Sequence, residues 1–284
     1  MRSRPPSDPF PDAMNEMMRS ATRRLDLSEA PSHRFDYLTG ADEAEGETHC
    51  AYFAYGLLAA HVRHGSQICF VADGESGTGK THGTFKGRRS VARCAIGLAL
   101  AAMKTAGRPG DLRIALTEWH AEASGPLRAM PHDRLRRHSS GPEYSLDPWT
   151  PTDARTFGET WYALKAKTGF DEWEVGDSFL PRALRHRKVA TTSLNDESSR
   201  SHLVLSIHLP GDGVRSRDAS IMMVDLAGSE LGMEEDVRHR GDLESAFIHA
   251  SRHAILRQLR AFAAGQVVAQ DAKVGEPHEL LARC

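Results

Sequence analysis

An excess of charge is the first thing missing from this 284-residue sequence: 36 Lys and Arg stand against 38 Asp and Glu, a formal net charge of −2. That balance excludes a histone-like polycation, and no nucleic-acid partner is expected. Long apolar runs are missing too. The longest, from Ala92 to Met103, is broken by Arg93 and falls far short of the ~20 residues that span a bilayer, so no membrane partner is expected either. The opening stretch, MRSRPPSDPF, has no apolar core and does not read as a secretory signal. Cysteine is scarce and unpatterned: Cys50, Cys69, Cys94 and Cys284 show no C-x-x-C spacing, and two of them sit in apolar segments, which points to reduced thiols and a cytoplasmic chain. Neither a repeat nor a sustained heptad is present, which removes solenoids and coiled coils. What is left, with 40% hydrophobic and 26% charged residues, is the composition of a globular protein long enough for one large domain.

Along the chain, residues 1–34 hold Pro5, Pro6, Pro9, Pro11 and Pro31 among many charges, a Pro-rich N-terminal segment expected to add little core. Residues 35–284 form the main unit. Tyr52, Phe53, Tyr55, Leu58, Ala59 and Val62 recur at helical spacing before Gly65. The run from Ile68 to Ala72 is short and uninterrupted in its apolarity, as a central strand covered on both faces would be. Ser90 to Lys104, rich in Ala and Leu, reads as a helix ended by Gly107 to Gly110. Leu112 to Trp119 reads as a strand, Ser124 to Gly141 as a surface excursion, and residues 140–180 give little signal. His202 to Leu209 alternates apolar and polar, and Ile221 to Val224 follows a turn, which predicts a hairpin. A last helix is expected from about Asp242 to Ala264.

Between the strand ending at Ala72 and the helix, Gly74-Glu75-Ser76-Gly77-Thr78-Gly79-Lys80-Thr81 matches G-x-x-x-x-G-K-[ST]. Glycines let such a loop curl until successive N–H groups converge on phosphate oxygens, with the following helix start adding partial positive charge. Lys80 would then neutralise β- and γ-phosphates, and the Thr81 hydroxyl would ligate Mg2+. The plain alternative is a glycine-rich turn that happens to carry a lysine.

Two further motifs decide between these. Asn195-Asp-Glu-Ser198-Ser199-Arg200-Ser201-His202 stands before one strand, and Asp225-Leu-Ala-Gly228-Ser-Glu230 follows another. With the phosphate loop they resemble the switch I (N-x-x-S-S-R-S-H) and switch II (D-L-A-G-S-E) motifs of the kinesin motor family, in family order and matched at every specified position. Weaker echoes cover most of the chain. Arg2-Ser-Arg4-Pro5 resembles the adenine-holding R-x-R-P, Phe35-Asp36 the F-D after it, and Glu118-Trp-His-Ala-Glu122 the E-I-Y-N-E stretch. Departures are visible beside them. Asp73 stands where a tyrosine is usual before the loop, and in the relay helix the usual I-N-K-S-L reads Ile248-His249-Ala250-Ser251-Arg252. Asp271-Ala-Lys273 keeps little of the Y-R-D-S-K element, and the family's further helix, strand, helix and neck linker find no counterpart before Cys284, so a head incomplete at its C-terminus is expected.

The resemblance implies an α/β fold of the P-loop NTPase, kinesin motor type, with a central, mostly β-sheet flanked by helices on both faces. It implies ATP and Mg2+ as cofactors, bound by residues 74–81 with Asn195, His82, Arg2, Arg4 and Pro5, the last three belonging to a partial adenine-binding element. Thr81, Ser199 and Asp225 would hold the metal. Gly228 would donate to the γ-phosphate, Ser198 would orient the attacking water, and an Arg200–Glu230 ion pair would close the switches. The function implied is a microtubule motor ATPase of the cytoplasm and cytoskeleton, with tubulin as partner. Its alternative is an ATP-binding pseudo-motor or adaptor without productive motility, which the altered relay helix favours. Arg238, His239, Arg240, Arg252, Arg257 and Arg260 read equally as a microtubule-facing patch or as a solvated helix face. His249 and His253 have metal-ligand spacing but no third ligand, which suits polar surface better.

Overall fold

The computed structural model describes residues 56–58, 61, 65, 67–74, 77–88, 90–108, 110, 112–121, 129–136, 141–150, 160–185, 201–211, 218–228, 252–253 and 255–257. Among them, seven strands form one mixed sheet: β1 (Gln67–Ala72), β2 (Arg113–Ala121), β3 (Ala129–Asp133), β4 (Tyr144–Trp149), β5 (Trp161–Ala166), β6 (His202–Leu209) and β7 (Ala219–Asp225). The order is β1-β7-β6-β2-β5-β4, with β3 paired to β2 off this path. The expected hairpin is present, β6 running antiparallel to β7 from Leu203 opposite Asp225 to Leu209 opposite Ala219.

One feature of this topology positions everything that follows. β1 and β7 are parallel and in register from Gln67 opposite Ser220 to Ala72 opposite Asp225. Both therefore release their following loops at the same end of the sheet, and antiparallel β6 begins there. The ladder also runs one residue past the strands, because the Leu226 N–H donates to the Ala72 carbonyl at 3.1 Å. The glycine loop, the start of the Asp225 motif and Ser201–His202 are thus delivered to one end of the sheet.

Alternation along the strands divides the core between the two faces of the sheet. Leu203, Leu205, Ile207, Ile221, Met223, Ile114 and Leu116 face one large cluster, which takes in α1 (Val91–Thr105) and α2 (Glu172–Leu184). Val204, Met222, Val224, Trp119 and Leu226 face a smaller one, closed by Ile255 from a helical segment at residues 252–257. The two helices pack closely where side chains are smallest. A Cβ on Gly97 of α1 would lie 2.6 Å from the Trp173 ring of α2, so glycine lets the indole lie this close to the helix. α2 starts with a reciprocal cap: the Asp171 carboxylate accepts from the Glu174 N–H at 2.7 Å, and Glu174 accepts from the Asp171 N–H at 2.8 Å. Tyr144 of β4 meets Phe179 of α2 edge to face at 5.5 Å.

Several sequence expectations change. β1, expected as a central strand covered on both faces, forms one edge among the described residues, and only Ile68 in it is buried. Its run is apolar throughout because Phe70 leans on the large cluster while Cys69 and Val71 lean on the small one. The surface excursion from Ser124 contains β3, which pairs antiparallel with the far half of β2, Thr117 opposite Asp133. Residues 140–180, with little sequence signal, supply β4, β5 and α2. The loop after Gly74 leads first into a short π-helical turn, His82–Lys86, and α1 begins only after Ser90. Of the helix expected near Ala51–Val62, residues 56–58 and 61 are helical; of that at 242–264, residues 252–253 and 255–257 are helical, and the remainder lies outside the described residues.

Candidate functional site

At the end of β1 the chain enters the glycine loop with Gly74, Gly77 and Gly79 all at positive φ, +148°, +79° and +85°. Such values are rarely adopted by other residues, and they turn the backbone back on itself within a few residues. Lys80 closes the turn, its Nζ donating to the Gly74 carbonyl at 2.7 Å. Next to it the Thr81 hydroxyl donates to Asp225 Oδ2 at 2.6 Å, joining residues 144 positions apart. Asp225 is wholly buried at the end of β7, so β1 and β7 bring the last residue of the glycine motif and the first of the D-L-A-G motif face to face.

The start of β6 is fastened to the same edge. His202, almost fully buried, accepts the Ala227 N–H on Nδ1 at 3.0 Å, which puts the proton of a neutral ring on Nε2. Ser201 donates to Glu118 Oε1 at 2.6 Å, and Arg134 Nη1 lies 3.3 Å from the other oxygen of that carboxylate. Glu118 is 1% exposed, so these partners replace the water its carboxylate lacks. Sequence reasoning saw Glu118 only as an echo of a family motif and did not single out Arg134. The available signal was an acidic residue between the apolar run Ile114–Leu116 and Trp119.

A second tie reaches the loop from the small cluster. Arg252 grips Asp73 with both arms of its guanidinium, Nε to Oδ1 at 2.5 Å and Nη2 to Oδ2 at 2.7 Å. Arg252, grouped by sequence with residues facing a microtubule, is therefore held against the entrance of the glycine loop; Arg257 is exposed.

Of the sequence-derived site residues, Gly74, Gly77, Thr78, Gly79, Lys80, Thr81, Asp225 and Gly228 lie together at this edge, Gly228 two residues beyond the Leu226 contact. His82 is described and exposed on the turn after the loop. Arg2, Arg4, Pro5, Glu75, Ser76, Asn195, Ser198, Ser199, Arg200 and Glu230 lie outside the described residues, as does His249. No group of three or more His, Cys, Asp or Glu that could hold a metal ion occurs among the described residues. Oxygen donors for a hard cation are instead the Thr81 hydroxyl and the Asp225 carboxylate.

Residues 167–271 match the family model described as kinesin motor domain. Curated relatives agree along more of the chain: kinesin-like protein KIN-14C of Arabidopsis thaliana is 27% identical over 199 residues, 63% of this chain and 24% of that protein. Kinesin-like protein KIF22 of Mus musculus is 26% identical over 214 residues, 71% of this chain and 30% of that protein. Among solved structures, KIF14 with ADP in complex with a microtubule superposes with a TM-score of 0.56 at 18% identity, covering 88% of this chain and 69% of that one. The C-terminal motor domain of Kar3 from Candida glabrata gives 0.51 at 21% identity, covering 78% and 64%.

Residues 167–271 are thus similar to a kinesin motor domain, and the chain shares the fold of solved kinesin motors.

The chain spans only 24% and 30% of the length of those two curated relatives. The fold is that of these solved kinesin motors, the mixed sheet carrying helices as the sequence predicts. Among the described residues, no helix is long and apolar enough to cross a membrane.

Proposed function

We propose that this chain binds and hydrolyses Mg-ATP and couples that cycle to microtubule binding, as a kinesin-like motor of the cytoskeleton. One observation carries the reading: the Thr81 hydroxyl and the buried Asp225 carboxylate meet at 2.6 Å immediately behind a glycine loop that ends in Lys80. Two hard oxygens of this kind suit Mg2+, which prefers oxygen ligands. When bound, the metal supplies charge neutralisation to the phosphoryl oxygens.

The chain's own residues have separate tasks in this scheme. Residues 74–81 wrap the phosphates with backbone N–H groups, and Lys80 exchanges its bond to the Gly74 carbonyl for phosphate oxygens. Thr81, Asp225 and Ser199 hold the metal. Gly228 donates its N–H to the terminal phosphate, Ser198 orients the attacking water, and the Arg200–Glu230 pair closes the site. Asn195 opens the same switch segment. His82, exposed beside the loop, covers the adenine with Arg2, Arg4 and Pro5. Phosphoryl transfer asks mainly for positioning and charge stabilisation, and this set offers both.

Phosphate release with and without microtubules tests the proposal. Stimulation by microtubules that disappears in Glu230→Ala and in Arg200→Ala, while nucleotide binding persists in both, is the expected result. A double mutant should lose little beyond either single variant, because the two residues act as a unit. Strictly additive losses would count against the pair. A second reading, an ATP-binding pseudo-motor or adaptor, is favoured by Arg252: the position that is leucine in the family's relay pattern is here ion-paired to Asp73. In that case nucleotide binds, and microtubules leave phosphate release unchanged.

A further inference from the structure

We infer that Asp73 and Arg252 form a charged latch that ties the helical segment after switch II to the entrance of the phosphate loop, making Arg252 a positioning residue for nucleotide binding. The inference rests on the phosphate-binding role proposed above for residues 74–81.

The contact is bidentate, both carboxylate oxygens engaged by one guanidinium, which fixes direction as well as distance. The two side chains are 28% and 17% exposed, so water screens the pair only in part. Each partner is anchored on its own side. Asp73 directly follows the last residue of β1, whose Ala72 carbonyl is held by Leu226. Ile255, three residues after Arg252 and on the same helical face, is 3% exposed in the small cluster beside Trp119, Met222 and Val224. Arg252 therefore reaches Asp73 from a seated helix rather than from a free end.

What Asp73 controls is the next residue. The Gly74 carbonyl accepts from Lys80 Nζ at 2.7 Å, so the contacts run from Arg252 through Asp73 and Gly74 to the lysine meant for phosphate. Tilting the peptide at Asp73 would move that carbonyl and the start of the loop. Both latch residues are also positions where this sequence departs from its family's pattern, and the two departures meet 179 residues apart in the chain. An aspartate at position 73 without its arginine would leave a carboxylate next to a phosphate site, where like charges repel. The latch resolves that conflict, since Arg252 offsets the charge of the carboxylate.

Affinity for a fluorescent Mg-ADP analogue reads the latch directly, with thermal melting followed in parallel on the full chain. Arg252→Leu and Asp73→Asn should each weaken binding about fivefold, equivalent to about 1 kcal/mol, and the double variant should be no worse than either. The reversed pair, Asp73→Arg with Arg252→Asp, should recover to within about twofold of wild type, a rescue that general loss of structure would not produce. Arg252→Gln, neutral and of similar reach, gives the same measurement if the leucine variant does not fold. Wild-type affinity in both single variants, or losses that simply add, would overturn the latch. Lys80→Ala separates this from the reading beneath it. If Lys80→Ala loses the nucleotide while the Asp73 and Arg252 variants keep it, the phosphate site stands and only the latch falls. If Lys80→Ala binds as wild type does, the phosphate-site reading fails and the latch falls with it.

Discussion

The two ends of the sheet are built by different means. At the β1–β7 end, side chains meet through charge and hydrogen bonds: Thr81 with Asp225, Lys80 with the Gly74 carbonyl, and Asp73 with Arg252. At the β5–β4 end the interior is joined by rings and aliphatic carbon, and ion pairs such as Arg182–Glu143 and Lys165–Asp147 lie around it. Tyr144 meets Phe179 edge to face, as Trp149 does Trp161 at 6.3 Å, and α2 buries Val175, Phe179, Leu180 and Leu184 against α1 and the sheet. Polar contacts between half-exposed groups are individually weak and easily exchanged, whereas apolar burial is strong and has no alternative partner. The difference teaches that the edge carrying the proposed chemistry can rearrange because the opposite flank holds the fold.

Mutations can break that division, and the largest effect is expected far from the motifs. Phe179→Ala removes a fully buried ring from the junction of α2 with β4 and should cost about 3–5 kcal/mol in denaturant unfolding, with nucleotide affinity unchanged while the chain stays folded. Loss of affinity without loss of stability would erase the distinction. Arg134→Ala lies between the two regions. It strips a charge partner from buried Glu118 and should destabilise by about 3 kcal/mol, while also loosening Ser201 at the start of β6. Chemical denaturation and nucleotide affinity measured together would show both losses.

Smaller effects sharpen the contrast. Lys80→Ala should weaken binding of an ATP analogue by more than tenfold, above about 1.4 kcal/mol, and leave the unfolding midpoint where it was. Unchanged affinity would sink the phosphate-loop assignment. Gly97→Ala is the least severe: the new methyl meets the Trp173 ring, which is 40% exposed and can swing aside, so about 1 kcal/mol of stability should be lost and no nucleotide affinity. A shift in Trp173 fluorescence would accompany it.

How far the sequence disclosed this arrangement follows from the same division. The β1–β7 end was legible because its chemistry is written in short motifs whose spacing is fixed by the backbone they shape, and β6, β7 and α1 announce themselves by period. The far flank hides its elements. β4 carries Asp147 and Pro148, tolerated because that strand lies at the sheet's outer edge among the described residues, and they break any strand pattern. α2 contains Gly176 and Pro181, residues that argue against a helix until packing with α1 is known. Its Asp171-to-Glu174 capping spacing was the signal available. The Asp73–Arg252 pair was out of reach in principle, since each residue alone is only an odd letter in a motif, and nothing in sequence says that two odd letters touch.

The zipper between β7 and its neighbours also sets where movement can begin. β7 is sandwiched by β1 on one side and β6 on the other, and the fastening continues past the strand, through Leu226 to the Ala72 carbonyl and through Ala227 to His202. Up to Ala227 the backbone is stitched into the sheet and shares its rigidity. Gly228 is the first residue past these fastenings, so the sheet acts as an anvil up to Ala227 and a displacement passed along β7 from the glycine loop would leave the sheet at that glycine.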